Sequence, residues 1–95
     1  MIKVVAKKLV NENKVEEVIK LYEELVKETR NEEGCIRYEL YQDEKDPRVL
    51  AVIEEWESKE ALEKHMNSEH FTRIVPMIGE LAEKKKDMNV YNKLI

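Results

Sequence analysis

The sequence predicts an α+β fold in which a four-stranded antiparallel sheet carries helices on one face. Three observations support this prediction. Segments with the composition or the alternation typical of strands lie near both ends of the chain and twice in its middle. Segments with helical periodicity separate the first strand from the second and the third from the fourth. The length of 95 residues suits a single domain, which we place at residues 1–95.

The first strand is predicted at residues 2–10, where aliphatic side chains stand among lysines. Asn13 is the expected N-cap of the helix that follows. The apolar stripe of this helix consists of Val15, Val18, Ile19, Tyr22, Leu25, Val26 and Thr29. Gly34, after a run of polar residues, marks the reversal into the next strand.

Residues 35–42 and 48–57, joined by a polar turn that contains Pro47, predict a β-hairpin. The first of these strands has an apolar face, expected to comprise Ile36, Tyr38 and Leu40, and a charged face with Arg37 and Glu39. The second strand is apolar on both faces. The helices can cover only one face, and so short a chain has nothing left for the other. The sequence therefore predicts a homodimer packed sheet to sheet.

Ser58 is the expected N-cap of the second helical region. Asn67 and Ser68 interrupt the apolar pattern of this region, which is therefore predicted to be broken in two. Pro76 is expected to kink or restart the second part, because proline has no N–H to donate. The last strand is predicted at residues 88–95. The complete order is the ferredoxin-like β-α-β-β-α-β arrangement.

Composition excludes several classes of partner. The chain has 17 Lys+Arg residues against 21 Asp+Glu residues, and this net charge of −4 predicts no nucleic-acid or anionic-membrane partner. No apolar segment approaches the ~20 residues of a membrane-spanning helix.

The start of the chain lacks the features of a secretory signal peptide. The one cysteine, Cys35, is expected to be a buried, unreactive thiol and fits a reducing compartment, so we expect a cytoplasmic location.

Three side chains are candidates for acid–base chemistry. His65 and His70 are the only histidines, and a neutral imidazole is well suited to accept a proton near pH 7. On an unbroken helix their rings would diverge by ~140°, whereas a bend between them would let both reach one cavity. Glu54 shares a strand face with Trp56, where desolvation would raise its pKa. The alternatives are a structural role for each histidine and a strand that leaves the core at Glu54.

Three aromatic side chains are candidates for substrate binding. Trp56, Tyr38 and Phe71 are predicted to form a wall for a flat ring, the alternative being that they are ordinary core residues. The two histidines and the scattered carboxylates show no metal-ligand spacing, so no metal site is predicted. Neither glycine belongs to a glycine-rich phosphate-binding loop.

Three segments of the chain resemble the antibiotic biosynthesis monooxygenase (ABM) family. They are Gly34–Asp43, with the sequence GCIRYELYQD; Glu54-Glu55-Trp56 followed by Ser58–Leu62; and His65–Phe71, which fits the pattern H-x-x-S-x-H-F. The segments occur in the order and at the spacing of the family, and the resemblance extends over essentially the whole chain. It implies a dimeric α+β barrel with a pocket between the sheet and the helices of each subunit.

The resemblance also implies a reaction. Members similar to this chain include small quinol monooxygenases, which use molecular oxygen as co-substrate without a metal or flavin cofactor. Other relatives are isomerases of small phosphorylated diones in quorum-signal breakdown, and others degrade haem. The haem-degrading relatives have Asn, Trp and His where our alignment places Lys8, His65 and Val75, so a haem-degrading role is not expected.

Three functions are compatible with these features. The leading one is a cofactor-independent oxygenase in which His70, with His65, removes a phenolic proton from a quinol or similar hydroxylated aromatic. The second is an isomerase of a small hydroxyketone, in which the histidines and Glu54 move a proton between carbons. A phosphorylated substrate would require a cation beside the pocket, for which the candidates are Lys8, Lys64 and Arg73. The third is a non-catalytic ligand-binding dimer, which a pocket filled by core side chains would favour.

Overall fold

The computed structural model describes all 95 residues, which form four strands and three helices. In chain order these are β1 (Ile2–Leu9), α1 (Val15–Thr29), β2 (Cys35–Gln42), β3 (Val49–Trp56), α2 (Lys59–Met66), α3 (Glu69–Glu80) and β4 (Asp87–Asn92). The strands form one antiparallel sheet in the order β2-β3-β1-β4. The predicted ferredoxin-like arrangement is therefore confirmed, with its second helical region divided in two. None of the three helices has the length and apolar character needed to cross a membrane.

The start of α1 differs from the prediction. Asn13 adopts a φ of 69° and forms part of a turn, while Lys14 occupies the N-cap position without a side-chain hydrogen bond to the helix. Asparagine tolerates the left-handed region better than most residues, so the turn before the helix uses its backbone conformation. The expectation that Asn13 caps α1 was therefore wrong.

Strand β2 contains a bulge that the alternation of the sequence did not predict. The register shifts between Cys35, which lies opposite Trp56, and Arg37, which lies opposite Glu55. Because of this shift, Cys35 shares the helix-facing side of the sheet with Trp56, and Ile36 is 45% exposed. Placing Ile36 on the buried face was therefore wrong.

The break in the second helical region lies where the sequence predicted it, between Met66 and Glu69. Ser68 caps α3, because its hydroxyl oxygen accepts a hydrogen bond from the backbone N–H of Phe71. Pro76 lies inside α3, which continues through it to Glu80, so the expectation that Pro76 restarts the helix was wrong. The helix packs against α1, and its buried side chains Ile74 and Ile78 belong to the hydrophobic core.

Strand β3 has one buried face and one partly exposed face, although its sequence is apolar on both. Leu50, Val52, Glu54 and Trp56 are buried under the helices, whereas the residues between them lie partly exposed on the open face. Charges on the open face pair within the subunit: Glu55 binds Lys3 at 3.2 Å, and Glu39 binds Arg37 at 3.2 Å. These pairs flank a partly buried apolar strip formed by Val5, Ala51 and Ile53.

Candidate functional site

His65 lies in the last turn of α2 and is enclosed by aromatic rings from three other elements. Its side chain is 1% exposed. The ring centroids of Tyr38 from β2, Trp56 from β3 and Phe71 from α3 lie 5.2, 4.7 and 5.0 Å from the imidazole. These are the three residues that the sequence predicted as an aromatic wall, and the structure brings them together around a histidine.

Glu32, in the turn between α1 and β2, joins the two histidines. Its Oε2 lies 2.8 Å from Nδ1 of His65 and 2.6 Å from Nε2 of His70. Both rings reach one oxygen because the chain breaks between α2 and α3, as the sequence analysis required. Glu32 was not among the predicted site residues, since nothing in the local sequence pattern distinguishes it from the neighbouring Glu33.

The second ring nitrogen of His65 has no partner. Nε2 is buried and makes no hydrogen bond. When Nδ1 donates its hydrogen to the Glu32 carboxylate, Nε2 carries the lone pair and is a proton acceptor. Burial lowers the pKa of His65 despite the opposing effect of the Glu32 carboxylate. The buried imidazole is therefore neutral near pH 7 and has an unused basic nitrogen.

Glu54 lies on the same side of the sheet and is 5% exposed. Its Oε1 accepts a 2.8 Å hydrogen bond from Nε1 of Trp56. Burial raises the pKa of Glu54 to about 7, the negative charge of Glu32 acts in the same direction, and the bond from Trp56 opposes both. Glu54 therefore exists in both protonation states near neutral pH, which suits a general acid or base.

Two tyrosines complete the surroundings of Glu54. Burial, followed by the negative charge of Glu54, raises the pKa of Tyr22 and of Tyr38 well above the usual range, so both phenols remain protonated. Tyr22 reaches this position from α1. Tyr22 was predicted only as part of the apolar stripe of that helix, because its helical spacing is the same as that of a core residue.

Glu32, His65 and His70 also form a group that could hold a metal ion, with ligand atoms all within 4.8 Å of one another. Two features fit a hydrogen-bonded triad better. The separations of 2.6 and 2.8 Å between Glu32 and the two histidines are hydrogen-bond distances. A metal ion bound to Nδ1 of His65 would leave the proton of the ring on Nε2. Metal-bound histidines normally donate this second N–H to an acceptor, and Nε2 of His65 has no acceptor.

The largest of the main cavities is a groove of about 610 Å³ between α1 and β2. Its apolar floor is formed by Ile19, Tyr22, Val26 and Leu40, and its rim includes Lys27 and Arg30. None of the five main cavities is lined by His65, His70 or Glu54. Tyr22 lines the groove, and the charge of Glu54 contributes to raising the pKa of Tyr22, so Tyr22 connects the groove with the surroundings of Glu54.

The remaining candidates from the sequence lie outside this cluster or are unreactive. Burial, with the charges of Glu32 and Glu54, raises the pKa of Cys35 to about 11, which agrees with an unreactive thiol. Arg73 is bound by two carboxylates at 2.6 and 2.7 Å. Lys8 lines a different cavity, and Lys64 is exposed on α2.

Comparison with known proteins agrees with this architecture. The family described as "Antibiotic biosynthesis monooxygenase" matches residues 1–77, a range that contains every site residue discussed above. The chain belongs to the antibiotic biosynthesis monooxygenase family. This ABM-family chain is 41% identical to a conserved protein from Methanosarcina mazei Go1, and its fold matches that crystal structure with a TM-score of 0.95 over 98% of this chain and 92% of that chain.

Two further comparisons bear on the family assignment. A crystal structure described as "antibiotic biosynthesis monooxygenase" is 37% identical, with a TM-score of 0.95 over 100% of both chains. The uncharacterized protein sll1783 of Synechocystis sp. is 30% identical over 82 residues, which is 86% of this chain and 56% of that protein. The ABM-family chain thus spans little more than half the length of sll1783.

Proposed function

We propose that this protein is a cofactor-independent monooxygenase that oxidises a quinol or a similar hydroxylated aromatic with O₂. The observation that carries the proposal is the unpartnered Nε2 of His65, a basic nitrogen buried among three aromatic rings. Membership of the ABM family supports monooxygenase chemistry on a small molecule. A phenolic O–H is the kind of donor that this nitrogen lacks.

The reaction begins with transfer of the phenolic proton to Nε2. The O–H bond breaks, its electron pair stays on the substrate oxygen, and the His65 imidazolium is stabilised by the Glu32 carboxylate at 2.8 Å. The aryl-oxide anion is a better electron donor than the phenol and gives one electron to O₂. The two radicals combine into a peroxide anion at a ring carbon, and this anion takes a proton from the His65 imidazolium to become a hydroperoxide. The ring carbon then loses its proton to the regenerated Nε2 as the O–O bond breaks, so that one oxygen atom remains in the quinone and the other takes up a proton and leaves as water.

Glu54 supplies the second proton-transfer group. With a pKa of about 7 it is partly protonated at neutral pH, and in that form it can donate to the oxygen that leaves as water. The protonated Tyr22 and Tyr38 lie beside it and carry no competing charge. The aromatic surroundings exclude water from the anionic intermediates.

The groove between α1 and β2 is the proposed route of the substrate, which would reach Glu54 past Tyr22. The same groove favours a second candidate function. Lys27 and Arg30 lie on its rim, and Nε of Arg30 is held at 3.1 Å by the backbone oxygen of Tyr38. Two cations at this position suit a phosphorylated ketone, the substrate of an isomerase that would need no oxygen.

A homodimer is part of the proposal. The strip formed by Val5, Ala51 and Ile53 lies on the face of the sheet that the helices leave uncovered. The charges beside the strip are already paired within the subunit, so packing a second sheet against it would not leave Arg37 or Glu39 unpaired.

Oxygen uptake and quinone absorbance with a panel of naphthoquinols and substituted hydroquinones test the proposed function. Quinols autoxidise, so the rate of the wild-type protein is compared with those of His65→Gln and His70→Ala. The proposal expects a wild-type rate well above that of His65→Gln, with one atom of labelled O₂ in the product. Equal rates across the panel would refute it, and proton exchange on a hydroxyketone without oxygen uptake would favour the isomerase.

A further inference from the structure

Glu32 holds two imidazoles and no other side chain. Its carboxylate is 15% exposed, and the rings that it binds are 1% exposed for His65 and 16% exposed for His70. No lysine or arginine forms a salt bridge with it, since Nε of the nearby Arg30 donates instead to the backbone oxygen of Tyr38. The bonds to the two histidines therefore decide where this carboxylate lies.

We propose that Glu32 is a positioning residue that keeps His65 in the tautomer with its proton on Nδ1 and its lone pair on Nε2. A carboxylate accepts hydrogen bonds and cannot donate them, so the 2.8 Å contact requires a hydrogen on Nδ1. In a neutral imidazole the other nitrogen is then unprotonated. This inference rests on the proposed function, because it explains how the base of that mechanism is prepared before substrate arrives.

His70 supports Glu32 from the solvent side. Its Nε2 lies 2.6 Å from the same oxygen, so the carboxylate receives a second strong hydrogen bond. That bond compensates for the removal of the carboxylate from water. His70 is itself fixed in the first turn of α3, where Ser68 caps the helix. His70 thus acts through Glu32 and does not need to touch the substrate.

The imidazole nitrogens of the full-length protein without substrate, observed by ¹⁵N NMR at pH 7.5, test this assignment. We expect His65 of the wild type to show a protonated Nδ1 and an unprotonated Nε2. In Glu32→Gln, the side-chain amide can donate to Nδ1, so the proton of His65 should move to Nε2 in a large fraction of molecules. Glu33→Gln is the matched control, because Glu33 is exposed and makes no side-chain hydrogen bond or salt bridge, and it should leave the tautomer unchanged.

A wild-type His65 with its proton on Nε2 would overturn the proposal, and so would an unchanged tautomer in a folded Glu32→Gln variant. The wild-type spectrum alone decides the matter if Glu32→Gln does not fold. His70→Ala should retain the Nδ1 proton, since Glu32 remains as acceptor. The spectra need no substrate, so the two proposals can fail separately. If His65 has the predicted tautomer but no oxygen uptake is found, only the proposed function is refuted. If oxygen uptake is found but His65 has the opposite tautomer, only the role of Glu32 is refuted.

Kinetics supply a second readout once a turned-over quinol is found. Glu32→Gln should lower kcat by about 100-fold or more with little change in KM, because the wrong tautomer affects proton transfer rather than binding. Glu32→Asp, which keeps a carboxylate, should recover part of this loss, and Glu33→Gln should match the wild type. Equal kcat values for Glu32→Gln and wild type would overturn the positioning role.

Discussion

The indole N–H of Trp56 donates a 2.8 Å hydrogen bond to the carboxyl group of Glu54, two residues earlier on the same face of β3. This bond is the one stabilising contact for an ionised Glu54, whose surroundings are otherwise apolar or aromatic. Burial outweighs the bond, so the pKa of Glu54 rises to about 7. The pair thus makes both the stability and the chemistry of the protein sensitive to pH in the neutral range.

Glu54→Gln should make the protein more stable at pH 8.5 and have a smaller effect at pH 5.5. The folded state keeps the proton of Glu54 up to a pH of about 7, whereas the unfolded chain releases it near 4.5. Stability contributed by this group is therefore fully present below pH 4.5 and is lost progressively as the pH rises from 4.5 to about 7, by about 3 kcal/mol in total. Thermal denaturation of both proteins at the two pH values measures the difference, and an equal shift at both would contradict it.

Trp56→Phe should raise the pKa of Glu54 further. The bond from Nε1 lowers that pKa, and phenylalanine keeps the aromatic bulk but has no N–H to donate. The carboxyl signal of Glu54 followed by ¹³C NMR during a pH titration gives the value directly, with Glu54→Gln used to assign the signal. A midpoint equal to or below that of the wild type would show that the bond is unimportant in solution.

The two glycines should respond oppositely to alanine. Gly34 has a φ of +87°, and a Cβ there would lie 2.6 Å from Cβ of Ala61, so Gly34→Ala should cost about 2 kcal/mol or more. A Cβ on Gly79, inside α3, would meet nothing within 4 Å, and Gly79→Ala should stabilise by about 0.5–1 kcal/mol. Chemical denaturation of both variants measures this contrast. Loss of stability in Gly79→Ala, or none in Gly34→Ala, would contradict it.

Thr29→Val should stabilise the fold by about 1 kcal/mol. Thr29 is fully buried, and its hydroxyl has no hydrogen-bond partner. Valine has nearly the same shape and removes the desolvated hydroxyl. Thr72→Val is the control, because the Thr72 hydroxyl is exposed and donates to the backbone oxygen of Ser68 at 3.0 Å. A greater gain for Thr72→Val than for Thr29→Val in urea denaturation would be the opposite of the expected order.

Ile53→Lys should convert the proposed dimer into a monomer. Ile53 lies in the middle of the uncovered sheet face, and a buried unpaired charge there would oppose the packing of two sheets. Met77→Lys places the same charge on the exposed side of α3 and should leave the dimer intact. Light scattering at micromolar concentration measures the molar mass of the wild type and of both variants. A monomeric wild type would disprove the dimer.

Much of the fold was predictable because it depends on local periodicity. The period of two along β3 placed Glu54 on the same strand face as Trp56, and polar residues at 67 and 68 marked the break that lets His65 and His70 meet. Each of these relationships involves residues within a few positions of each other, where the period of the element alone decides which side a residue takes. The family assignment from three short segments was also confirmed.

Only the tertiary structure decided the features that depend on residues far apart in the chain or on a shift of one residue in strand register. The bulge after Cys35 turned Ile36 out of the core, because a shift of one residue exchanges the two faces of a strand. Glu32 meets His65, 33 residues later, only when the turn after α1 and the end of α2 are packed together. The sequence by itself therefore determined the elements and most of the residues they bury. Packing decided which nitrogen of which histidine stays free, because that depends on a partner no local pattern identifies.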